Sequence, residues 1–243
     1  MQSMKVFNWQ NIRLVVLLLL IIFLYSFTKN RNESRKLVGS EVVFVGENNL
    51  FLKQETVNKL LIENFQSAKS IQKVKLDLNK LEKSVNKCPM VEKSEVFVTI
   101  NGVLKAVVKQ KTPIGRFVNG DDSFYIDIQG NTMPLSDHFT ARVPLIYGTI
   151  ATEYKQDFVS LLQLIYKDDF LRKNIIGIQI APNGGLKMMN RNYDYEIEFG
   201  RTINVESKFK NYKAFFQKAS LDSSLYHYKK INLKFTQQVV CTK

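Results

Sequence analysis

Cysteine and histidine are scarce in this 243-residue chain, which holds two of each. A structural zinc site takes about four Cys, His or acidic ligands at short spacings, and Cys88, Cys241, His138 and His227 form no short-spaced pair. No metal or cofactor is therefore expected. In an oxidising compartment the two cysteines can pair. Cys88 also follows Leu78, Leu81 and Val85 at helical spacing, which reads as a small buried apolar residue. Both readings stand open at this point.

The sequence also lacks the local signatures of catalysis. It has no Gly-rich phosphate loop, no zincin His pair and no G-x-S-x-G elbow, the spacings that place a nucleophile, a metal or a phosphate cradle. Asp121-Asp122 sits between Gly120 and Ser123 at a turn, and Asp168-Asp169 lies near a helix end; acids in such places solvate turns and cap helices. His138 and His227 are solitary in local sequence. The chain is not read as an enzyme. Internal repeats and low-complexity tracts are missing as well.

Positive charge is in excess, with a formal net charge of +13. A basic chain of this kind suits nucleic acid, anionic lipid or an anionic wall polymer. In KSIQKVKLDLNKLEKSVNK the lysines are scattered singly between acids, without the clustered basic footprint of nucleic-acid binders.

One long apolar run is present, LVVLLLLIIFLYSF from Leu14 to Phe27. As a helix this segment rises about 21 Å, short of the ~30 Å hydrocarbon core of a bilayer. A cleaved signal would end in small residues at an A-x-A-like site, and here the exit reads YSFTKNRNESRK. Val6, Phe7, Trp9 and Ile12 extend the apolar stretch upstream, with Arg13 able to snorkel and Trp9 and Tyr25 placed as interfacial anchors. The reading is a retained anchor over residues 7–27, after a tail of residues 1–6. Lys29, Arg31, Arg35 and Lys36 follow the run and Lys5 and Arg13 precede it. By the positive-inside rule that balance would hold the large domain in the cytoplasm.

Residues 28–37 are polar and read as a linker. Beyond it, Glu41 to Val45 is a strand stopped by Gly46, and Val57, Leu60, Leu61 and Phe65 recur at helical spacing. LDLNKLEKSVNKCP gives a second amphipathic helix closed near Pro89, and SEVFVTINGVLKAVVKQ gives two strands about a two-residue turn at Asn101-Gly102. After TPIGRF comes a hairpin, DSFYIDIQGNTMPLS, turning at Gly130-Asn131. A helix from Glu153 to Lys173 then turns Phe158, Leu161, Leu162 and Ile165 inward, and the strand IIGIQIAP follows. A turn at Asn183-Gly184-Gly185 leads into alternation of Tyr193, Tyr195, Ile197 and Phe199. A helix with Phe209, Tyr212 and Phe216 precedes the last strand region, YKKINLKFTQQVVCTK.

Taken in order, these parts resemble the FtsQ/DivIB family of bacterial cell-division proteins over residues near 7 to 241. VFVGENNLF is similar to that family's first POTRA strand, LEKSVNKCPMVEKSEVFV to its second helix, joint and next strand, and VKQKTPIGRF to the strand end that follows. FYIDIQGNTMPLS is similar to its D-x-x-G hairpin, here Asp127 to Gly130, and VPLIYG to the segment after it. Lys111-Thr112 stands before Pro113 where the family often shows an acid, and Met90 where an aromatic is common. The resemblance implies an α+β fold: a transmembrane helix, a POTRA domain of strand-helix-helix-strand-strand topology over residues 38–112, and a C-terminal antiparallel β domain with flanking helices over 113–243.

The resemblance also implies a non-enzymatic divisome scaffold at the septum. Its N-terminus would be cytoplasmic and its bulk periplasmic, against the flanking charges. It would link early and late division proteins and control septal peptidoglycan synthesis. Its implied partners are FtsB-like and FtsL-like proteins, the former adding a strand at the C-terminal edge, here Lys234, Phe235, Thr236, Gln237, Gln238, Val239, Val240 and Cys241. Phe235, Val239 and Val240 suit a strand, and an edge offers unpaired N–H and C=O groups. The competing readings are another POTRA-bearing membrane assembly or secretion factor, and a secreted cell-wall hydrolase or binding protein.

Overall fold

The computed structural model describes residues 9–33, 35–46, 49–62, 76–120, 122–221 and 223–243. Lys5, Val6, Phe7, Phe65 and Asp121, each given a part above, lie outside them. The protein is mixed α+β, with an N-terminal apolar helix and a large β-sheet. It divides into two compact units, one of Met1–Gly46 and Lys53–Lys109, the other of Glu47–Leu52 and Gln110–Lys243.

Helix α1 (Trp9–Glu33) opens the first unit. It continues past the apolar run, so residues 28–33, read above as linker, are helical. Its 22-residue span Asn11–Asn32 is long and apolar enough to cross a membrane, since a helix gains about 1.5 Å per residue. The apolar side chains from Leu14 to Phe27 stay exposed, which rules out a core helix and suits a helix solvated by lipid.

Strand β1 (Gly39–Val45), helices α2 (Gln54–Ile62) and α3 (Leu78–Asn86), and strands β2 (Val91–Val98) and β3 (Val103–Gln110) complete this part of the chain. The three-stranded sheet has the order β1-β3-β2, with β1 parallel to β3. Asp77 starts α3 by accepting the Lys80 N–H at 3.0 Å, relieving one of the unpaired N–H groups of a first turn. Where a two-residue turn was expected, Thr99 N–H meets the Val103 carbonyl at 2.9 Å, closing a three-residue loop with Gly102 at φ 82°. Such a loop needs one left-handed residue, and glycine supplies it without strain. The outer side of β2 is closed by α3, whose Asn86 accepts from Ser94 N–H at 2.7 Å and Glu82 from Val96 N–H at 3.2 Å.

The second unit is built on a nine-stranded sheet. Its strands are β4 (Pro113–Asn119), β5 (Asp122–Asp127), β6 (Thr132–Met133), β7 (Leu145–Tyr147), β8 (Ile175–Ile180), β9 (Leu186–Asn190), β10 (Glu196–Gly200), β11 (Lys230–Asn232) and β12 (Val240–Thr242). They lie in the order β12-β11-β10-β9-β8-β7-β4-β5-β6. An antiparallel domain was expected, and the sheet is mixed: β4 with β7, β7 with β8 and β10 with β11 run parallel. Parallel neighbours need crossover connections. Helices α4 (Lys155–Lys167) and α5 (Asp169–Asn174) lie between β7 and β8, and α6 (Val205–Leu221) lies between β10 and β11.

The single helix expected from Glu153 to Lys173 is broken. A 3₁₀ turn (Thr152–Tyr154) leads into α4, and Asp168 leaves helical geometry to cap α5, accepting the Leu171 N–H at 3.0 Å. The core between helices and sheet gathers Phe158, Leu161, Leu162 and Ile165 of α4 with Ile146, Ile178, Met188 and Ile197 of the strands and Phe209 and Tyr212 of α6. Phe51 and Leu52 join this unit through Gln110, which accepts both of their N–H groups at 3.0 and 3.1 Å. Ser136 Oγ donates to the Phe51 carbonyl at 2.8 Å.

Candidate partner-binding edge

Strand β12 ends the nine-stranded order, so one of its sides pairs with β11 and the other with no strand among the described residues. The eight residues singled out above are not one strand. Residues 234–239 form the connection between β11 and β12, and only Val240 and Cys241 belong to the edge strand. The cause is local: Asn232 Oδ1 accepts the Lys234 N–H at 2.9 Å, an Asx-type turn that takes the chain out of β11.

Each member of the connection has a distinct place. Lys234 donates to Glu198 of β10 at 2.8 Å, and its stem crosses Gly200, where an added Cβ would lie 2.9 Å from Lys234 Cγ. Phe235 is 50% exposed, a large apolar ring left in solvent. The Thr236 carbonyl accepts from Asn211 Nδ2 of α6 at 2.8 Å. Gln237 and Gln238 are exposed, while Val239 packs on the core.

Pairing alternation sets which backbone groups of β12 face outward. On either side of β11 the Lys229 carbonyl accepts from Glu196 and the Leu233 N–H donates to Glu198, which turns Ile231 between them toward β10, while the Lys229 N–H crosses to the Thr242 carbonyl at 2.8 Å. The even-numbered Lys230 and Asn232 then address their partners Thr242 and Val240. Cys241, between those two, turns its own N–H and C=O to the free side. Its side chain goes to the core side, opposite buried Ile231, and burial pushes the thiol upward, keeping it protonated and unreactive. Val240, 42% exposed, presents an apolar side chain to solvent. Cys88 and Cys241 are both free thiols.

The edge is electrostatically anchored at its root. The hydrogen bond from Lys234 holds the Glu198 carboxyl below its ordinary range against the opposing effect of burial, with Lys230 and Lys187 adding to the pull. Glu198 and Asn211 went unnoticed in the sequence. Glu198 falls on the polar side of the Tyr195-Ile197-Phe199 alternation, a signal that it faces away from the core. Its partner lies 36 residues on, beyond the reach of any local pattern.

The remaining polar candidates have structural work. Asp127 is buried and accepts the N–H groups of Gln129 and Asn131 at 2.9 and 2.8 Å, shaping the β5–β6 turn. Asp168 caps α5 and pairs with Lys213, and Asp169 pairs with Lys173 at 3.2 Å. Asp122 opens β5, His138 lies in an exposed loop and His227 in a 3₁₀ turn (Ser224–His227). These groups are not brought together, and the described residues hold no cluster of three or more His, Cys, Asp or Glu able to hold a metal.

What the edge can do chemically is accept an extended chain. It has one outward N–H and C=O pair at Cys241, an exposed apolar side chain at Val240, an exposed ring at Phe235 in the connection before it, and a charge-paired root. No curated protein matches the chain. Residues 112–242 match the family described as FtsQ/DivIB, C-terminal related. That match begins one residue before β4 and ends with β12, so it takes in the whole nine-stranded sheet, edge included. FtsQ/DivIB proteins are generally non-enzymatic and associated with cell division, and α1 fits the single-pass membrane anchor of such a protein. With more than half of its length matched, the chain belongs to the FtsQ/DivIB, C-terminal related family.

Proposed function

We propose that this protein is a non-enzymatic scaffold of the bacterial divisome, anchored by α1 in the cytoplasmic membrane with its bulk on the outer side, and acting at the septum. The first unit's strand-helix-helix-strand-strand order supports assigning residues 38–112 as a POTRA domain that meets early division proteins. In this reading, residues 113–243 hold an FtsB-like protein, itself paired with an FtsL-like one, and so couple early members to septal peptidoglycan synthesis. The observation that carries the reading is the family match ending on a sheet edge with an outward backbone pair at Cys241.

Strand addition takes its affinity from main-chain hydrogen bonds and its specificity from alternate side chains. The incoming chain donates to and accepts from Cys241, and its side chains rest on Phe235 and Val240. Two variants separate these contributions. Cys241→Pro deletes the outward N–H while sparing the bonds to β11, an edge position where proline is tolerated. Phe235→Lys removes the apolar rest and leaves the backbone intact. Tagged full-length protein purified from membranes is expected to bring down small coiled-coil membrane proteins, with recovery reduced roughly tenfold by either change, a loss of about 1.4 kcal/mol. Depletion is expected to give filamentous cells. Undiminished capture by both variants removes the edge as the binding site, and the absence of any division protein in the eluate removes the scaffold reading.

A further inference from the structure

The long apolar helix ends in a dense patch of positive charge. Between Thr28 and Lys36 stand four cations, Lys29, Arg31, Arg35 and Lys36, against one acid, Glu33. A helix C-terminus carries the equivalent of roughly half a negative charge, which offsets only a small part of that excess. All four cations are exposed. Lys29, Arg35 and Lys36 enter no ion pair among the described residues.

Helix geometry sets the depth of these cations in a bilayer. At about 1.5 Å per residue the helix rises roughly 30 Å from Trp9 to Lys29, which matches the ~30 Å hydrocarbon core. The Arg13 guanidinium lies 5.7 Å from the centre of the Trp9 ring, so that charge is drawn back toward the Trp9 end. Trp9 and Tyr25 are both exposed, as aromatic side chains at the two interfaces are. With Trp9 and Arg13 at one interface, Lys29 reaches the phosphate level of the other.

A hollow of about 590 Å³ lies at this end of the helix, and Tyr25, Thr28, Lys29, Arg31, Asn32 and Arg35 help to line it. Tyr25, Thr28, Lys29 and Asn32 follow one another at spacings of three and four, and so share one helix face. The Arg35 N–H donates to the Asn32 carbonyl at 3.3 Å, turning the chain at the helix end and keeping Arg35 on the same hollow. The described residues of the lining offer a phenol, a hydroxyl, an amide, an ammonium and two guanidiniums, and no carboxylate. Guanidinium groups bind phosphate oxygens through paired donors. One wall is aromatic and faces the apolar run, and the far wall is cationic, which is the polarity of a lipid headgroup above its acyl chains.

We propose that this helix end binds the headgroup of an anionic phospholipid, with the phosphate against Lys29 and Arg35 and the acyl chains alongside α1. The proposal rests on α1 being the membrane anchor, and it holds for either orientation of the chain. A zwitterionic headgroup brings a cation of its own, which the four basic side chains repel. A free phosphate leaves the aromatic wall in water. Each Lys or Arg at a membrane surface adds about fivefold in affinity for anionic lipid.

The test uses the full-length protein in detergent, supplied with equal amounts of phosphatidylglycerol and phosphatidylcholine of the same chains. Retained lipids are counted by native mass spectrometry. Wild type is expected to keep phosphatidylglycerol over phosphatidylcholine by about tenfold. Lys29→Gln with Arg35→Gln is expected to bring the two lipids near parity, and Lys29→Arg with Arg35→Lys to restore the preference. Lys53→Gln with Lys155→Gln, two exposed lysines outside the helix, is expected to leave it intact. No preference in wild type, a preference that survives in the Lys29 and Arg35 glutamine pair, or loss in the Lys53 and Lys155 pair overturns the proposal. So does displacement of the lipid by glycerol phosphate, which would make a free anion the ligand. Carbonate-washed membranes separate this inference from the anchor reading. The glutamine pair is expected to stay in the pellet with wild type, so a lost preference there reports on the headgroup site alone. A wild-type chain washed into the supernatant removes the anchor reading, and this proposal with it.

Discussion

Asp168 shows how one side chain decides a local structure. Its carboxylate ends α4, caps α5 through the Leu171 N–H and pairs with Lys213 of α6. Burial alone would raise its titration, but the hydrogen bonds from Lys213 and Leu171 outweigh it and hold the group below the usual carboxylate range. A lowered folded value means that this contribution is complete above the unfolded value, near pH 3.9, and is lost as pH falls through the folded one. Asp168→Asn keeps a competent cap and loses the ion pair, at a cost of about 0.2–1 kcal/mol. Asp168→Ala also loses the cap, a further ~1 kcal/mol. Thermal unfolding of the full chain in detergent at pH 7 should rank wild type above Asn above Ala. The gap between wild type and Asn should close as the pH falls below about 4.

Among the elements, the β5–β6 turn couples local sequence to tertiary packing. Asp127 gathers two N–H groups of the turn, and Gly130 takes φ 83° directly beneath α4, where a Cβ would lie 3.1 Å from Val159 Cγ2. Gly130→Ala therefore meets both backbone strain and a crowded helix, and is expected to cost about 1–3 kcal/mol. Gly39→Ala is the control, since a Cβ at Gly39 meets nothing within 4 Å and its φ is ordinary. Urea or thermal unfolding should show a drop for the first and little change for the second. The edge strand obeys the same reasoning in reverse. At three residues, β12 is too short to attract stray chains, so any partner that adds there needs further contacts such as Phe235.

For the whole molecule, the N-terminal apolar helix α1, which fits a single-pass membrane anchor, sets the main expectation. A helix with exposed apolar side chains from Leu14 to Phe27 has a large unpaid hydration cost in water, and burial in hydrocarbon removes it at roughly 25 cal/mol per Å². The protein is expected to stay in the membrane pellet after an alkaline carbonate wash. N-terminal sequencing of the mature protein should read from the region of Met1. A soluble product starting near Lys29 would show a cleaved signal and a secreted protein instead. The formal charge of +13 then lies mostly outside the anchor, which carries few ionisable groups.

Much of this was legible from residue order alone. The apolar run, the helix after Asp77, the turn at Gly130 and the inward faces of α4 and α6 follow from hydration, helical period and backbone sterics, which act over a few residues and leave local patterns. The family resemblance added the order of parts. The break at Asp168, the three-residue loop at Gly102 and the parallel pairing of β4, β7 and β8 were set by competition between a local preference and the space left by distant segments. The same holds for the candidate edge. Composition allowed a strand through residues 234–241, but Asn232 turned the chain, Glu198 held Lys234, and only Val240, Cys241 and Thr242 reached the sheet. A hollow beside residues 201–203 had no trace in the sequence, because its lining comes from the loop after β7, from α4, β8 and β9 and from the loop after β10, which meet only when the sheet is assembled. Short-range chemistry is written in neighbouring residues, whereas a site made of far-separated ones exists only once burial of the shared core has brought them together.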